Sequence, residues 1–231
     1  MLSIIIPAYN EEKRILPTLK EYYSFFQNKL KNNFEIIVVV NNCNDNTLGI
    51  VEKFTKNKKV IKILNLSYYV GKGGAVIAGF KLAKGDLIGF VDADNSTNPK
   101  NFYKLFLNIH HNDGIIASRR INGAVVFPPR KLNQVIFSFL FNVFVRVLFQ
   151  FKYKDTQCGA KLFKEETARS LIKKYSEEGW IFDVDLLYLC KKNNFKILEY
   201  PIYWTDKMGS KLIFFDGVLS LFRLIRYRFN F

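Results

Sequence analysis

The sequence predicts an α/β fold in which a mostly parallel sheet carries helices on both faces. Over residues 1–120, short apolar runs alternate with amphipathic stretches of helical length, a rhythm typical of parallel sheets. Polar and small residues follow the apolar runs directly, at the strand ends where such sheets bind ligands. The chain has 231 residues, of which 49% are hydrophobic, and this is enough for one domain with a full core.

Five apolar runs are the predicted strands of the sheet. They are Ser3–Ile6, Glu35–Val40, Val60–Leu66, Leu87–Val91 and Ile115–Ala117. Four amphipathic stretches between them are the predicted helices. They are Glu12–Leu30, Thr47–Lys56, Gly74–Lys84 and Pro99–His110.

Two apolar segments after residue 120 have a different character. The first, Lys131–Phe151, has a polar residue at every fourth position, which on a helix forms a narrow polar stripe. The stripe consists of Gln134, Ser138, Asn142, Arg146 and Gln150. The stripe and its charge favour a helix in the bilayer interface over one that spans it, with a core helix against the sheet as the alternative. The second segment, Leu212–Phe231, ends in an arginine-rich stretch that suits an anionic membrane surface or a solvated tail.

The net charge and the cysteines restrict the kinds of partner and of compartment that the protein is expected to have. The formal net charge of +15 implies an anionic partner, which is nucleic acid, a membrane surface or a phosphorylated substrate. The three cysteines are widely spaced and predict neither disulfides nor a metal site, so a reducing compartment fits. The first apolar run, Ile4–Ile6, is too short for a signal peptide or a membrane anchor. We therefore expect peripheral attachment at the cytoplasmic face of a membrane.

A pair of carboxylates follows the fourth predicted strand. Asp92 and Asp94 are two residues apart, with Ala93 between them, directly after the apolar run Leu87–Val91. Two carboxylates so placed are able to hold one hard divalent cation, Mg²⁺ or Mn²⁺, and the cation is able to bind a diphosphate. The alternative is that these residues only shape a loop or cap the next helix.

A glycine-rich run precedes the third predicted helix. Gly71, Gly73 and Gly74 surround Lys72, and glycines allow backbone N–H groups to approach a phosphate at a helix N-terminus. The spacing is not that of a P-loop, and Val76 replaces the third glycine of a dinucleotide-binding fingerprint. The alternative is a tight turn between strand and helix.

The segment after the first strand is a candidate nucleoside pocket. Tyr9 is able to stack on a base or a ribose, and Glu11 is able to accept hydrogen bonds from a sugar or a base. The alternative is that Glu11 and Glu12 are acidic residues favoured in the first turn of a helix.

These three sites, in this order, resemble the family 2 glycosyltransferases, which have the GT-A fold. Within that family the chain resembles the dolichyl-phosphate glucosyltransferases from Ile4 to about Leu212, and the resemblance is most specific in the second half. It is carried by blocks with the letters DTQCGAKLF, WIFDVDLLY, WTD and GSKL, at Asp155–Phe163, Trp180–Tyr188, Trp204–Asp206 and Gly209–Leu212.

The resemblance assigns roles to individual positions. Asp92 and Asp94 would hold Mg²⁺ or Mn²⁺ against the donor diphosphate, and Asp183 would occupy the place of the catalytic carboxylate. The donor would be bound by Pro7, Ala8, Tyr9, Glu11, Asn41, Asn42, Gly71, Lys72, Asp92 and Ala93. The acceptor phosphate would be bound by Arg119, Arg130, Asp155, Gln157, Ser210 and Lys211. Arg120 and Lys131 are interpreted as general surface charge.

The implied function is inverting transfer of a hexose, with UDP-glucose the favoured donor, onto a dolichyl or polyprenyl phosphate at a membrane surface. The chain would be one GT-A domain, with the nucleotide-sugar in residues 1–118 and the acceptor and membrane interface in 119–231. One departure is that Asn41 and Asn42 replace acidic residues that help to read the uracil in this family.

Three alternatives to this function remain open. A family 2 enzyme acting on a saccharide or another lipid would need Asp183 as a base. A nucleic-acid-binding protein fits the net charge but leaves the two aspartates after the fourth strand unexplained. A non-catalytic relative fits the two asparagines but not the intact aspartate pair.

Overall fold

The fold is built on a seven-stranded sheet whose strand order is β3-β2-β1-β4-β7-β5-β8. The computed structural model describes residues 1–129, 132–174, 182–207 and 224–229. The strands are β1 (Leu2–Ala8), β2 (Phe34–Asn41), β3 (Ile61–Leu66), β4 (Leu87–Val91), β5 (Gly114–Ser118), β6 (Val125–Phe127), β7 (Ala160–Lys164), β8 (Ile197–Pro201) and β9 (Tyr203–Thr205). The helices are α1 (Ile15–Leu30), α2 (Thr47–Thr55), α3 (Gly71–Leu82), α4 (Pro99–Asn108), α5 (Leu132–Phe149), α6 (Glu165–Lys174) and α7 (Phe182–Lys192).

The predicted parallel sheet is confirmed, and the first five predicted strands are β1 to β5. Strands β1, β2, β3 and β4 are parallel neighbours, as are β5 and β8. Strand β7 is antiparallel and lies between β4 and β5, which it joins into one sheet. Strands β6 and β9 form a separate parallel ribbon. Helix α3 begins at Gly71, so the glycine-rich run is its first turn and not a loop before it.

Helices cover both faces of the sheet, as predicted. On one face, α1, α2 and α4 pack against the sheet, with Tyr22, Phe26 and Phe102 fully buried between them. On the other face, α3, α6 and α7 surround Phe80 and Phe163. Strands β1 and β2 are apolar at nearly every position because both of their faces are covered.

Helix α5 is confirmed as a helix, and most of its polar stripe faces the protein. Arg120 Nη2 donates to Ser138 O at 3.0 Å, and the buried Asn142 donates to Thr156 Oγ1 at 3.4 Å. The polar stripe is therefore directed inward at these positions, while Gln150 is exposed.

The outer surface of α5 is apolar over the first part of the helix. The exposed apolar residues of α5 are Leu132, Val135, Ile136, Phe137, Phe139, Leu140 and Val147. Its last turns are different, because Val145 and Phe149 pack in a core cluster with Leu187 of α7. The alternative of a core helix is confirmed for the end of α5, whereas its start has an exposed apolar face and its place in a bilayer interface stays a prediction. Of the helices in the described ranges, none has the length and apolar composition needed to cross a membrane.

The end of the chain docks on α5 and α7. Residues 224–229 form a helical segment in which Leu224 is buried and the Tyr227 hydroxyl donates to Asp185. The Arg228 guanidinium lies 5.6 Å from the ring centre of Tyr188. The rest of the predicted C-terminal helix, residues 212–223 and 230–231, lies outside the described residues.

Candidate active site

The candidate site lies where parallel strands β1, β2 and β4 end side by side. Ala8 at the end of β1 pairs in register with Val40 of β2, and the other edge of β1 pairs with β4. The loops that follow these strands therefore emerge at one edge of the sheet. Helix α3 starts at the same edge, because Asn41 at the end of β2 bonds to the backbone before this helix.

The loop that carries Asp92 and Asp94 is fixed from both sides. The Asp92 backbone N–H donates to Gly159 O at 3.1 Å, which ties the loop to the start of β7. From α1, the Thr18 hydroxyl donates to Ala93 O at 2.7 Å and the Tyr22 hydroxyl donates to Thr97 O at 2.6 Å. The sequence alone predicts the loop, whereas its attachment to α1 is a tertiary feature.

Lys72 joins two of the candidate carboxylates. Its Nζ lies 2.8 Å from Asp92 Oδ1 and 3.3 Å from Asp183 Oδ2, so the first turn of α3 meets the first turn of α7 through this ammonium group. Burial lowers the pKa of Lys72, but Asp183 and Asp92 outweigh burial and the net pKa is raised. Burial raises the pKa of Asp92, with its neighbour Asp94 adding to the effect and Lys72 opposing it. Lys72 is therefore a fixed cation inside a site of two carboxylates.

A second lysine lies below the first. Lys161 of β7 is fully buried, donates to Cys158 O at 2.8 Å and forms an ion pair with Asp183. Burial raises the pKa of Asp183, but Lys161 and then Lys72 lower it more, so its net pKa is below the ordinary value. A carboxylate with a depressed pKa is a weak base, which favours an orienting role for Asp183 over proton abstraction.

The expected nucleoside pocket follows β1. The Tyr9 ring lies 4.7 Å from that of Tyr69, and it is partly exposed, as a stacking platform requires. Glu11 is held by Arg14 through a two-point ion pair at 2.6 and 2.7 Å. The preceding residues of the predicted pocket, Pro7 and Ala8, form the end of β1.

Asn41 has a different role from the expected one. Its Oδ1 accepts from Val70 N at 3.0 Å and its Nδ2 donates to Gly71 O at 3.1 Å, and the side chain is buried. Both ends of the amide are therefore engaged by the backbone before α3, and Asn41 positions the glycine-rich turn instead of presenting its amide to a base. Asn42, the next residue, is partly exposed.

The expected acceptor residues centre on a buried ion pair. Arg119 Nε and Nη2 lie 2.7 and 2.9 Å from the two carboxylate oxygens of Asp155, and the Arg119 guanidinium lies 5.3 Å from the ring centre of Trp204. Gln157 is exposed two residues further on. Arg119 is thus paired with a carboxylate, whereas the sequence predicted that it holds a lipid phosphate. The remaining expected residues, Arg130, Ser210 and Lys211, lie outside the described residues.

The residues around Asp92 fit a divalent cation bound together with a diphosphate. Asp92 and Asp94 supply carboxylate oxygens, and the neighbouring Asn95 Oδ1 and Ser96 Oγ are buried without a hydrogen-bond partner in the part of the chain that the structure describes. Orphaned buried oxygens are costly unless a ligand or water satisfies them. Among the described residues, no group of three or more His, Cys, Asp or Glu side chains forms a metal site. Mg²⁺ in proteins keeps several waters and binds substrate phosphates, so Asp92 and Asp94 would be its protein ligands.

Two residues of the site were missed by the interpretation of the sequence. Lys161 interrupts the apolar strand β7, and a charged residue in such a strand was the available signal. Gly159 faces the carboxylate of Asp92, and a Cβ added at Gly159 would lie 1.7 Å from Asp92 Oδ2. A single sequence carries no signal for this second contact, because it joins segments far apart in the chain.

We expect the Asp155–Arg119 pair to make stability depend on pH. Burial raises the pKa of Asp155, but Arg119 lowers it by more, so the net pKa is about 2. Because the folded pKa lies below the unfolded value of about 4, the pair stabilises the protein above about pH 4 and loses this effect as the pH falls toward 2. Asp155→Asn should therefore lower the free energy of unfolding by about 2 kcal/mol at pH 7 and by less at each step toward pH 2.

Urea unfolding between pH 7 and pH 3 measures this difference. The exposed Glu52→Gln on α2 is the control, and its difference from the wild type should be near zero throughout. A destabilisation by Asp155→Asn that is the same at every pH would contradict the role of the ion pair.

Comparisons with known proteins are consistent with this geometry. The model of the family described as "Glycosyl transferase family 2" matches residues 3–180. The dolichyl-phosphate beta-glucosyltransferase of Dictyostelium discoideum is 35% identical over 243 residues, which covers 100% of this chain and 74% of that protein. The human dolichyl-phosphate beta-glucosyltransferase is 31% identical, covering 95% of this chain and 72% of that protein.

Solved structures share the fold. Residues 1–349 of S. aureus TarS, in complex with UDP-GlcNAc, align with a TM-score of 0.65 and 25% identity over 98% of this chain and 66% of that chain. Glucosyl-3-phosphoglycerate synthase from Mycobacterium tuberculosis, solved with Mn²⁺, UDP and glucosyl-3-phosphoglycerate, aligns with a TM-score of 0.72 and 14% identity over 99% of this chain and 78% of that chain. At this identity the second likeness concerns the fold alone, and the predicted GT-A architecture is confirmed.

Proposed function

The chain belongs to glycosyl transferase family 2, and we propose that it transfers a hexose with inversion from a nucleotide-sugar onto a dolichyl-type polyprenyl phosphate. The observation that carries the proposal is the cluster of Asp92, Lys72 and Asp183 at the strand ends, close to the Arg119–Asp155 pair. Relatives at 35% and 31% identity carry the name dolichyl-phosphate beta-glucosyltransferase, which supports glucose as the sugar.

UDP-glucose is the proposed donor. The TarS structure at 25% identity contains UDP-GlcNAc, which supports a uridine nucleotide. The partly exposed ring of Tyr9 would stack on the base or the ribose. Asp92 and Asp94 would hold Mg²⁺ or Mn²⁺, and the bound ion would neutralise charge on the departing nucleoside diphosphate.

The chain's own residues around the donor would bind and orient it. Besides the divalent cation, Lys72 brings a positive charge to the sheet edge where the diphosphate would lie. The first turn of α3 adds backbone N–H groups. Asp183, held ionised by Lys161 and Lys72, would orient the sugar through hydrogen bonds. These contacts are fixed before the substrate arrives, which is the arrangement that stabilises developing charge most effectively.

The acceptor needs positioning more than deprotonation. A phosphate monoester is already anionic near neutral pH, so its oxygen is able to attack the anomeric carbon without a general base. Arg119, held rigidly by Asp155 and Trp204, would orient the acceptor side of the site, together with Arg130. Gln157, Ser210 and Lys211 are proposed to contribute further polar contacts to the acceptor phosphate.

The outer face of α5 would meet the membrane, at its cytoplasmic side. A helix with polar residues toward the protein and large apolar residues outward is suited to a lipid surface. The neighbouring ribbon adds Val125, Phe127 and Tyr203, which are also exposed. The net charge of +15 would strengthen attachment to anionic lipid.

We expect charged residues on this face to abolish attachment without unfolding the protein. Phe139 and Leu140 are 54% and 56% exposed, so Phe139→Glu and Leu140→Glu remove contacts with lipid and few contacts with the core. Together they should reduce binding to vesicles of phosphatidylcholine and phosphatidylserine by at least about tenfold.

Vesicle sedimentation measures this binding. Leu107→Glu on α4 is the matched control, because Leu107 is 52% exposed on a different helix and should bind vesicles like the wild type. Equal binding by all the variants would show that α5 does not face the membrane.

A donor screen tests the function as a whole. The purified protein is mixed with a short-chain polyprenyl phosphate, Mg²⁺ or Mn²⁺, and UDP- or GDP-linked hexoses, and lipid-linked product is measured. We expect transfer from UDP-glucose. Transfer only to a saccharide or another lipid would identify the alternative family 2 activity. Salt-sensitive binding of nucleic acid without binding of any nucleotide-sugar would overturn the proposal.

A further inference from the structure

Three arginines cluster where the loop after β5 meets α5. Arg119 follows β5 directly and is paired with Asp155. Arg120 is half-buried, and burial together with the nearby charges of Arg119 and Arg146 lowers its pKa, against the opposing effect of Asp155. Arg146 lies on the polar stripe of α5, two turns after Ser138. Arg120 is therefore near enough to Arg119 and to Arg146 to be repelled by both.

The cluster has more positive charge than its carboxylate neutralises. Asp155 is used by Arg119 through both of its oxygens. The Arg120 side chain donates to Ser138, at 3.0 Å to the carbonyl and 2.5 Å to the hydroxyl, and neither group carries a charge. Within the ranges that the structure covers, Arg146 Nε is buried and has no hydrogen-bond acceptor. Among the residues that the structure describes, these two half-buried cations thus form no ion pair with a carboxylate, an arrangement that is costly unless an anion binds there.

The arginine cluster lies between the donor site and the exposed apolar face of α5. Arg119 feels the charge of Asp92, so the donor site is on one side of the cluster. Ser138, to which Arg120 is anchored, lies among the exposed apolar residues of α5, so the proposed lipid surface is on the other side. An anion with an apolar tail would place its charge at the arginines, facing the donor site, and its tail along the apolar face of α5.

We propose that Arg120 and Arg146 bind the phosphate of the acceptor and give the site its preference for a phosphate monoester dianion. This rests on the proposed function, and it assigns the acceptor phosphate to two residues outside the expected set. A monoester carries a charge between −1.5 and −2 near pH 7, which matches the two unpaired cations. A phosphodiester carries one charge, and an alcohol carries none. Arginine suits the task because its planar fork donates two parallel hydrogen bonds to a phosphate.

The test separates acceptor binding from donor binding. Arg120→Gln and Arg146→Gln are assayed with farnesyl phosphate as the acceptor and UDP-glucose as the donor. Each change should raise KM for farnesyl phosphate by about tenfold to a hundredfold, as expected for loss of a hydrogen-bonded charge, and leave KM for UDP-glucose within twofold. Lys81→Gln on α3 is the control, since it removes one positive charge from an exposed position and should change neither constant.

Inhibitor selectivity tests the preference for a dianion. In the wild type, farnesyl phosphate should bind more tightly than farnesyl methyl phosphate, and farnesol should bind most weakly. Arg146→Gln should reduce the advantage of the monoester over the diester by about tenfold. Unchanged selectivity in both arginine variants would overturn the proposal.

Stability distinguishes binding from a structural role. If the two arginines only supported the fold, their loss would lower the melting temperature. Since Arg120 is repelled by Arg119 and by Arg146, we expect a melting temperature that is unchanged or higher in both variants. A melting temperature that falls by several degrees, together with equal losses for donor and acceptor, would assign them a structural role instead.

The result is also separable from failure of the proposed function. If the wild type transfers no sugar to farnesyl phosphate, binding is followed by tryptophan fluorescence in a Trp180→Phe background, which leaves the signal to Trp204, 5.3 Å from the Arg119 guanidinium. Farnesyl phosphate binding that is lost in both arginine variants would support the phosphate site even without transfer. Wild-type binding in both variants would overturn it.

Discussion

Asp92→Asn is expected to lower kcat/KM for sugar transfer by at least about a hundredfold while the protein remains folded. The substitution keeps the shape of the side chain but removes the charge that would hold a divalent cation and that pairs with Lys72 at 2.8 Å. Burial already raises the pKa of Asp92, so the carboxylate is held at a cost, and a neutral side chain should cost little stability.

The measurement is the rate of lipid-linked sugar formation over a range of Mn²⁺ concentrations, together with the thermal unfolding midpoint. Glu52→Gln removes one carboxylate at an exposed position on α2 and should retain full activity. Wild-type kcat/KM in Asp92→Asn would remove the metal assignment, and with it the proposed donor geometry.

Gly159→Ala is expected to cause a loss of similar size through a purely steric effect. The added methyl group would lie 1.7 Å from Asp92 Oδ2 and 2.3 Å from Asp92 Cγ, so the Asp92 carboxylate must leave its position. The Asp92 backbone N–H also donates to Gly159 O at 3.1 Å, which prevents the two segments from separating easily. Displacement by about 1 Å is enough to lose two orders of magnitude in rate.

Gly49→Ala is a matched control for this variant. Its methyl group would meet the side chain of Asn46, at 2.5 Å from Oδ1 and 3.5 Å from Cγ. Asn46 directly precedes α2, and its exposed side chain is able to turn away. It should be active and slightly more stable, since alanine favours helix. The rate of sugar transfer measures activity in both variants, and circular dichroism measures whether they fold. An active Gly159→Ala would mean that Asp92 tolerates displacement.

The sequence predicts the parallel part of the fold because each strand there has its own local signal. The runs of β1, β2 and β4 are apolar at successive positions, as strands buried on both faces must be. Strand β7 carries no such guide to its direction or place. It pairs antiparallel with β4 and β5, and this choice depends on a tertiary arrangement between segments far apart in sequence.

The site shows the same division between local and distant contacts. The aspartates after β4 and the glycines in the first turn of α3 are recognisable from composition and position alone. The partners of the polar side chains are not recognisable in this way. Arg119 pairs with Asp155, Asp183 pairs with Lys161, and Asn41 bonds to the backbone where α3 begins. Each of these pairs joins residues about twenty or more positions apart, so a single sequence does not show which residues expected to contact substrate are also held by other parts of the chain.

The placement of β7 between β4 and β5 bears on how such enzymes are recombined in the laboratory. A chimera joined near residue 118 would exchange β7 along with the half proposed to bind the acceptor. Gly159, directly before β7, lies against Asp92, and Lys161 of β7 pairs with Asp183. Donor chemistry would then be inherited partly from each parent. Grafts intended to change only the lipid specificity should therefore begin after β5 and stop before Asp155, which confines the exchange to β6, α5 and the turns around them.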